Sequence, residues 1–477
     1  MNVKLVFNFL GRILIFFSTI FVLPIVVAYY FGESLIPFIV AAISSFTFGI
    51  VAVLTLKPKN DVLRYKEAFA IVALAWLFVS IVGSIPYIAI GVDFVDSLFE
   101  AMSGFTTTGA SIFDKPEVLP KSILFWRALT QWLGGMGIIV LFLAVLPSVA
   151  RKGAALFQAE YPGIGLERIK PRFRDTALIL YSIYLLFTII EICLLYLLGV
   201  SLFDAVTHTF TTLSTGGFST HSESVAYFNN PSVEAVIAFF AAIGGANFTI
   251  HYHIIKRDWR YLKDVEFRVY ILILLLSTFA LAVLNLEKFN MLDSLRYSAF
   301  QAVSIMTTTG FTTYDFDTWN DSCRLILLIL MFVGGCSGST GGGIKITRIY
   351  ILAKYSILQI FKAAEPRIAR TIVYGDKVIK KDIVEDVVAF FILYVTIFVF
   401  STLFMTVSGF DIVTSASAVA ANLGNVGPAL GLAGASETYS RFPFYVKLML
   451  TLNMWIGRLE IFTVLSLFVP SFWRERW

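Results

Sequence analysis

Long stretches of this chain contain no charged side chain at all. Residues 13–32, 34–56, 68–92, 128–150, 235–255, 325–344 and 387–410 are each free of Asp, Glu, Lys and Arg, and 269–286 adds an 18-residue run. A helix needs roughly 20 apolar residues to cross the hydrocarbon of a bilayer. Two further stretches are long enough but carry charge: 176–203 holds Glu191, and 443–471 holds Arg458 and Glu460. That makes ten candidate spans. A chain of 477 residues that is 58% hydrophobic and only 14% charged has about half the charged share of a soluble domain. A soluble enzyme and a disordered chain are both excluded. The apolar start reads as a retained span, not a cleaved leader. Cys193, Cys323 and Cys336 form neither a disulfide framework nor a zinc spacing.

Charge sets the expected orientation. The net charge is +5, and the basic residues concentrate in the loops 57–66, 151–175, 256–268 and 345–386, the last with nine of them. Cytoplasmic loops are enriched in Lys and Arg. All four loops face one side only if the span number is even, which puts both termini in the cytoplasm. The long 345–386 loop is expected to hold two short helices.

Between spans lie four apolar stretches too short or too rich in Gly, Ser and Thr to cross: about 97–113, 205–222, 294–314 and 412–433. From residue 68 onward the chain thus repeats one unit four times: span, short segment, span. The segments end in related tips: Phe105-Thr106-Thr107-Thr108-Gly109-Ala110, Thr212-Leu213-Ser214-Thr215-Gly216-Gly217, Met306-Thr307-Thr308-Thr309-Gly310-Phe311 and Leu423-Gly424-Asn425-Val426-Gly427-Pro428. Taking Gly109, Gly216, Gly310 and Gly427 as the pivots gives spacings of 107, 94 and 117 residues. Asp96, Asp204, Asp293 and Asp411 stand 12 to 17 residues before them and read as N-caps of short re-entrant helices. Irregular backbone cannot face lipid; it must be packed in protein or line a wet cavity. Four glycine-bent tips about one axis would offer a cation a ring of carbonyl oxygens, with the negative helix ends aimed at it.

The span after the third tip is broken by Gly334-Gly335-Cys336-Ser337-Gly338-Ser339-Thr340-Gly341-Gly342-Gly343, of which six are Gly. Each Gly costs a helix about 1 kcal/mol relative to Ala, so a non-helical loop is expected in mid-membrane. Arg458 is a cation at membrane depth, which costs several kcal/mol unless it meets a cavity or a partner. Glu460, two residues on, does not share its helix face. Lys345 follows the glycine loop directly.

These residues resemble the Trk/Ktr/HKT superfamily of potassium transporters, most closely its TrkH branch. The resemblance covers essentially the whole chain. It rests on the four tips, on Gly134-Gly135-Met136-Gly137 and Gly244-Gly245-Ala246-Asn247 after the first two, and on Ala154-Ala155-Leu156-Phe157-Gln158-Ala159-Glu160. It implies an all-α polytopic membrane protein with four span–pore-helix–span repeats in pseudo-fourfold arrangement around one pore. Two extra N-terminal spans (1–60) would precede repeats at 61–150, 151–258, 259–365 and 366–477. By this resemblance the potassium filter comprises Thr107, Thr108, Gly109, Ser214, Thr215, Gly216, Thr308, Thr309, Gly310, Asn425, Val426 and Gly427. Asn425-Val426 departs from the Thr-rich pattern of the other tips. The gate would be formed by Gly335, Cys336, Ser337, Gly338, Ser339, Thr340, Gly341, Gly342 and Gly343 with Lys345 and Arg458.

The same resemblance implies a homodimer in the inner membrane, contact with membrane lipid, and a cytoplasmic nucleotide-binding regulatory subunit of the TrkA type. No cofactor is expected in this chain, potassium being the substrate, and no nucleic acid. The chain has no G-x-G-x-x-G or Walker A motif of its own, so nucleotide control would come through the partner. Three other readings fit parts of the sequence. Gly335-Cys336-Ser337-Gly338 matches an intramembrane serine protease pattern, which needs a histidine beside the serine. An organic-solute symporter would use broken helices, usually with two repeats and intramembrane acids. An ion-coupled potassium symporter shares the whole architecture.

Overall fold

The computed structural model describes residues 1–58, 63–137, 173–365, 371–375 and 377–474. The end of the expected 128–150 span, most of the 151–175 loop with its Ala154–Glu160 motif, and Pro366 and Arg367 lie outside the described residues.

Among the described residues the fold is all-helical apart from one small hairpin. The first span is α1 (Val3–Ile20) continued by α2 (Val22–Tyr30). It starts ten residues before the expected 13–32, because the exposed Lys4 at its end and the exposed Arg12 a few turns in are carried on the helix instead of ending it. Long cationic side chains reach out of the apolar zone at helix ends. The span folds back on α3 (Ile36–Thr55) at a close glycine contact: a methyl on Gly11 would meet Gly49 O at 2.7 Å. Ser45 Oγ adds a hydrogen bond to Leu14 O at 2.8 Å, and Asn8 Nδ2 reaches Val53 O at 3.1 Å. Small residues let membrane helices approach while polar side chains tie them.

The four repeats follow. The first is α4 (Tyr65–Gly83) with α5 (Ile85–Ala89), then the re-entrant α6 (Phe94–Phe105) and α7 (Lys121–Gly135). The second is α8 (Phe173–Leu197), the re-entrant α9 (Leu202–Leu213), then α10 (Pro231–Gly245) and α11 (Phe248–Ile255). The third is α12 (Val265–Leu284), the re-entrant α13 (Met291–Met306), then α14 (Asp321–Val333) and α15 (Ile346–Ala364). The fourth is α16 (Lys381–Val407), the re-entrant α17 (Ile412–Leu423), then α18 (Phe444–Arg458) and α19 (Ile461–Leu465). Six helical segments are straight, long and apolar enough to cross a membrane among the described residues.

Three features depart from the sequence expectation. The 235–255 and 443–471 runs are bent pairs, turning by 104° and 117°. The first turns where Ala246 is extended and Asn247 Oδ1 accepts Thr249 N to cap a new helix. The second turns at Glu460, which has φ 65°. Among its described residues the 345–386 loop holds one 19-residue helix, α15, in place of the two short ones expected, followed by strands β1 (Val373–Tyr374) and β2 (Lys377–Val378) paired antiparallel. Finally, only Asp411 is an N-cap, accepting from Val413 N and Thr414 N at 3.0 and 2.9 Å. Ser201 and Asn290 cap the second and third re-entrant helices, and Asp204 and Asp293 stand three residues inside, hydrogen-bonded back to them at 2.7 Å each. Each cap side chain in turn accepts the N3 backbone N–H, from Asp204 at 3.0 Å and Asp293 at 2.9 Å. Asp96 is likewise inside its helix and pairs with Lys447 at 2.7 Å, joining the first repeat to the fourth.

Candidate functional site

All four re-entrant helices end identically. The capping residues are Thr106, Ser214, Thr307 and Gly424. The next residues, Thr107, Thr215, Thr308 and Asn425, have φ of 53°, 54°, 62° and 56°. For a β-branched residue this left-handed conformation costs about 1–2 kcal/mol. Strain repeated at four equivalent places marks a functional site. The following N–H groups, of Thr108, Gly216, Thr309 and Val426, donate five residues back to Ser103, Thr211, Ser304 and Ala421 at 2.9, 2.8, 2.8 and 2.7 Å. Next come Gly109, Gly217, Gly310 and Gly427, with φ of 81°, 75°, 80° and 99°.

This geometry shifts the second tip by one residue. Gly216 stands with Thr108, Thr309 and Val426, and Gly217 is the partner of Gly109. The doubled glycine let either residue match the other tips in sequence. Asn425, the odd residue of the fourth tip, keeps the shared backbone conformation, and its Nδ2 reaches Thr108 Oγ1 of the first tip at 3.0 Å.

The tips close a ring. A methyl on Gly109 would strike Gly216 O; on Gly217, Thr309 O; on Gly310, Val426 O; on Gly427, Thr108 O. Each repeat therefore abuts the next in chain order, and the fourth returns to the first. One cavity is lined by Gly109, Gly217, Gly310 and Gly427 together with Arg127 and Asp114. The buried Arg127 pairs with Glu100 at 2.8 Å and donates to Ser219 O at 3.0 Å, binding the first tip's support to the second tip's exit. Sequence reading missed this pair, since neither charge lies in a tip motif.

Beneath the ring lies the glycine loop, residues 334–343. Gly342 N donates to Thr308 Oγ1 at 2.7 Å, and Thr340 Oγ1 donates to Leu213 O at 2.9 Å and Gly244 O at 3.0 Å. Cys336 N and Thr340 N donate to Gly245 O and Gly244 O at 2.8 and 3.1 Å. The loop is thus stitched to the second and third tips and to the bend of α10. Glu266, buried at the start of α12, accepts from Ser337 N at 2.7 Å and Thr347 N at 3.2 Å, holding the middle of the loop to the start of α15.

Arg458 reaches this loop. Its guanidinium donates to Thr340 O at 2.6 Å and to Gly134 O and Gly135 O at 2.8 and 3.1 Å. It occupies in the fourth repeat the place of Gly135 and Gly245, the second glycine of each pair. Glu460 pairs with Arg348 from α15. Lys345, with φ 79°, folds its Nζ back onto Gly341 O. A second cavity is bordered by Gly341, Gly343, Lys345, Gly457, Arg458 and Glu460. Gly335, Gly338 and Ser339 complete the loop. Ser337 Oγ bonds Thr347 Oγ1 at 3.1 Å, and no histidine is bonded to it among the described residues. Among those residues no cluster of metal-ligating His, Cys, Asp or Glu occurs.

Four re-entrant tips closed into one ring, with a non-helical loop under it, define an all-helical membrane transport protein of pseudo-fourfold repeat, not an enzyme. A family described as "TrkH: Cation transport protein" matches residues 37–475. The chain belongs to the TrkH family. It is 36% identical over the full length of both chains to the Trk system potassium uptake protein TrkH of Halomonas elongata. It is 38% identical to the Escherichia coli K12 protein of the same name over 88% of each chain. The crystal structure of the potassium transporter TrkH from Vibrio parahaemolyticus superposes with a TM-score of 0.90 at 34% identity, covering 99% of this chain and all of that one.

Proposed function

We propose that the protein is a potassium-uptake pore. The observation that carries this reading is the closed ring of tips, in which every repeat's glycine touches the next repeat's backbone. The curated relatives named above are potassium uptake proteins. In the proposal, backbone oxygens around the ring replace the water shell of K⁺, and of the similar Rb⁺. The C-terminal ends of the four re-entrant helices converge on the tips and favour a cation there. The filter consists of residues 107–109, 215–217, 308–310 and 425–427.

The glycine loop and Arg458 form the gate. A guanidinium beside the conduction path repels cations, and its three hydrogen bonds to loop and helix carbonyls hold the closed arrangement. Opening then requires Arg458 and Thr340 to part. The protein sits in the inner membrane with both termini cytoplasmic, pairs with a second copy, and receives a nucleotide-binding regulatory subunit on its basic loops. These last assignments rest on resemblance and on the charge distribution.

The test is flux through purified protein in liposomes. K⁺ and Rb⁺ should enter in response to an inside-negative voltage, which supplies about 2.3 kcal/mol per charge per 100 mV, while Na⁺ enters far more slowly. Equal K⁺ and Na⁺ flux would sink the filter. Uptake that ignores voltage and follows a proton or Na⁺ gradient would replace the channel with a symporter.

A further inference from the structure

The second tip lacks a side-chain tie that the first and third tips make. In the first and third tips the position before the ring glycine is Thr108 or Thr309, whose hydroxyl bonds the capping Thr106 or Thr307 at 2.8 and 2.7 Å. In the second tip that position is Gly216, which has no side chain to make the tie.

The vacant volume is filled from another repeat. The carboxamide of Gln131, fully buried on α7, lies where a side chain at 216 would go, its Nε2 2.8 Å from the position of such a Cβ. Nε2 donates to Gly216 O at 2.8 Å, and Phe218 N donates to Oε1 at 3.0 Å. The two bonds bracket Gly217, the ring residue. One turn earlier on the same helix, Arg127 holds Ser219 O, and its guanidinium lies 4.3 Å from the centre of the Phe218 ring. Gln131 stands three residues ahead of the Gly134-Gly135 pair; the residues so placed in the other repeats are Ala241, Met331 and Met454, none with an amide.

We propose that Gln131 is a specificity-determining positioning residue. It fixes the peptide groups on either side of Gly217 and so sets the ion-facing geometry of the second quarter of the ring. This rests on the filter reading above. Without its carboxamide the second tip has no side-chain tie at this level, and the ring relaxes enough to accept the smaller, more strongly hydrated Na⁺.

The experiment measures K⁺ and Na⁺ flux in liposomes for Q131L, Q131E, Q131A, G216T, the Q131A/G216T pair and G310S, with monodispersity and thermal melting as folding checks. Losing two buried hydrogen bonds should lower the K⁺/Na⁺ ratio about tenfold in Q131L while K⁺ flux persists. Q131E keeps an acceptor for Phe218 N but faces Gly216 O without a donor, and should also lose selectivity. G216T alone collides with Gln131 and should do the same. In the pair, the introduced threonine gains room and can tie to Ser214 as Thr108 does to Thr106, so the ratio should recover beyond the product of the single effects. A wild-type ratio in Q131L and Q131E, or an additive pair, overturns the inference while G310S in the same assay still loses selectivity. If G310S also keeps the wild-type ratio, the filter reading itself has failed.

Discussion

The ring and the layer beneath it are built on opposite principles. At the ring four different sequences converge on one geometry: Asn425 adopts the φ of three threonines, and each glycine meets the next repeat's carbonyl. One layer deeper the four repeats diverge. Gly135 and Gly245 face the next tip's capping residue so closely that a methyl on them would stand 2.8 Å from Ser214 and 2.7 Å from Thr307, the third repeat inserts a loop, and the fourth places Arg458. Replacing an ion's water evenly from all sides demands near-equivalence. Blocking a path does not: one charged side chain and one loop suffice. Symmetry should therefore carry selectivity, and asymmetry should carry gating.

The sharpest way to break this division is Gly310→Ser. Gly310 has φ 80° and no room for a Cβ beside Val426 O and Pro428. The backbone must shift, and the K⁺/Na⁺ flux ratio should fall by roughly tenfold or more. Unchanged ion preference would mean that the ring does not select. Arg458→Ala acts in the other layer. It removes three hydrogen bonds and a cation, so K⁺ flux should rise about fivefold at an unaltered K⁺/Na⁺ ratio. Loss of flux in a well-folded Arg458→Ala protein would make the arginine a structural strut.

Glu266→Ala sharpens the comparison further. Glu266 touches no tip, yet one of its oxygens holds the loop N–H of Ser337 and the N–H of Thr347 at the start of α15. Freeing them should raise basal K⁺ flux about twofold to threefold, again without changing selectivity. A shift in ion preference would show that the two layers are mechanically one.

What the sequence made legible follows the same division. Periodic strain leaves a sequence mark, so the four Thr/Gly tips and the six-glycine break stand out in the amino-acid sequence alone. The register of the second tip does not, because Gly216 and Gly217 match the other tips equally well, and only backbone φ and the five-residue-back hydrogen bond separate them. Gln131, Glu266 and the Arg127–Glu100 pair are also hidden. Each is an ordinary residue in an apolar or terminal stretch, and its partner lies 85, 71 and 27 residues away. The bends at 246 and 460 are unreadable for a related reason. They follow from packing around the axis, not from a local helix breaker as strong as the 334–343 run.

The smallest expected effect concerns how the re-entrant helices are started. The first turn of each is anchored differently, and only the fourth uses a carboxylate as its side-chain cap. Asp411 accepts two backbone N–H groups, and the hydrogen bonds from Thr414 hold its carboxyl below the ordinary value of 3.8. Asp411→Ala should lower stability by about 1 kcal/mol, read as a small drop in melting temperature, with flux and selectivity retained. The depressed value fixes the sign of the pH dependence. The ionised cap contributes fully above pH 3.8 and is lost as the pH falls through the lower folded value. The melting gap between wild type and variant should therefore be flat at neutral pH and close only in strong acid. The corresponding gap between Asp411→Asn, whose amide oxygen can cap without titrating, and Asp411→Ala should stay open. If both gaps closed together, acid would be acting on the membrane fold as a whole, and the caps would carry none of the difference between the repeats.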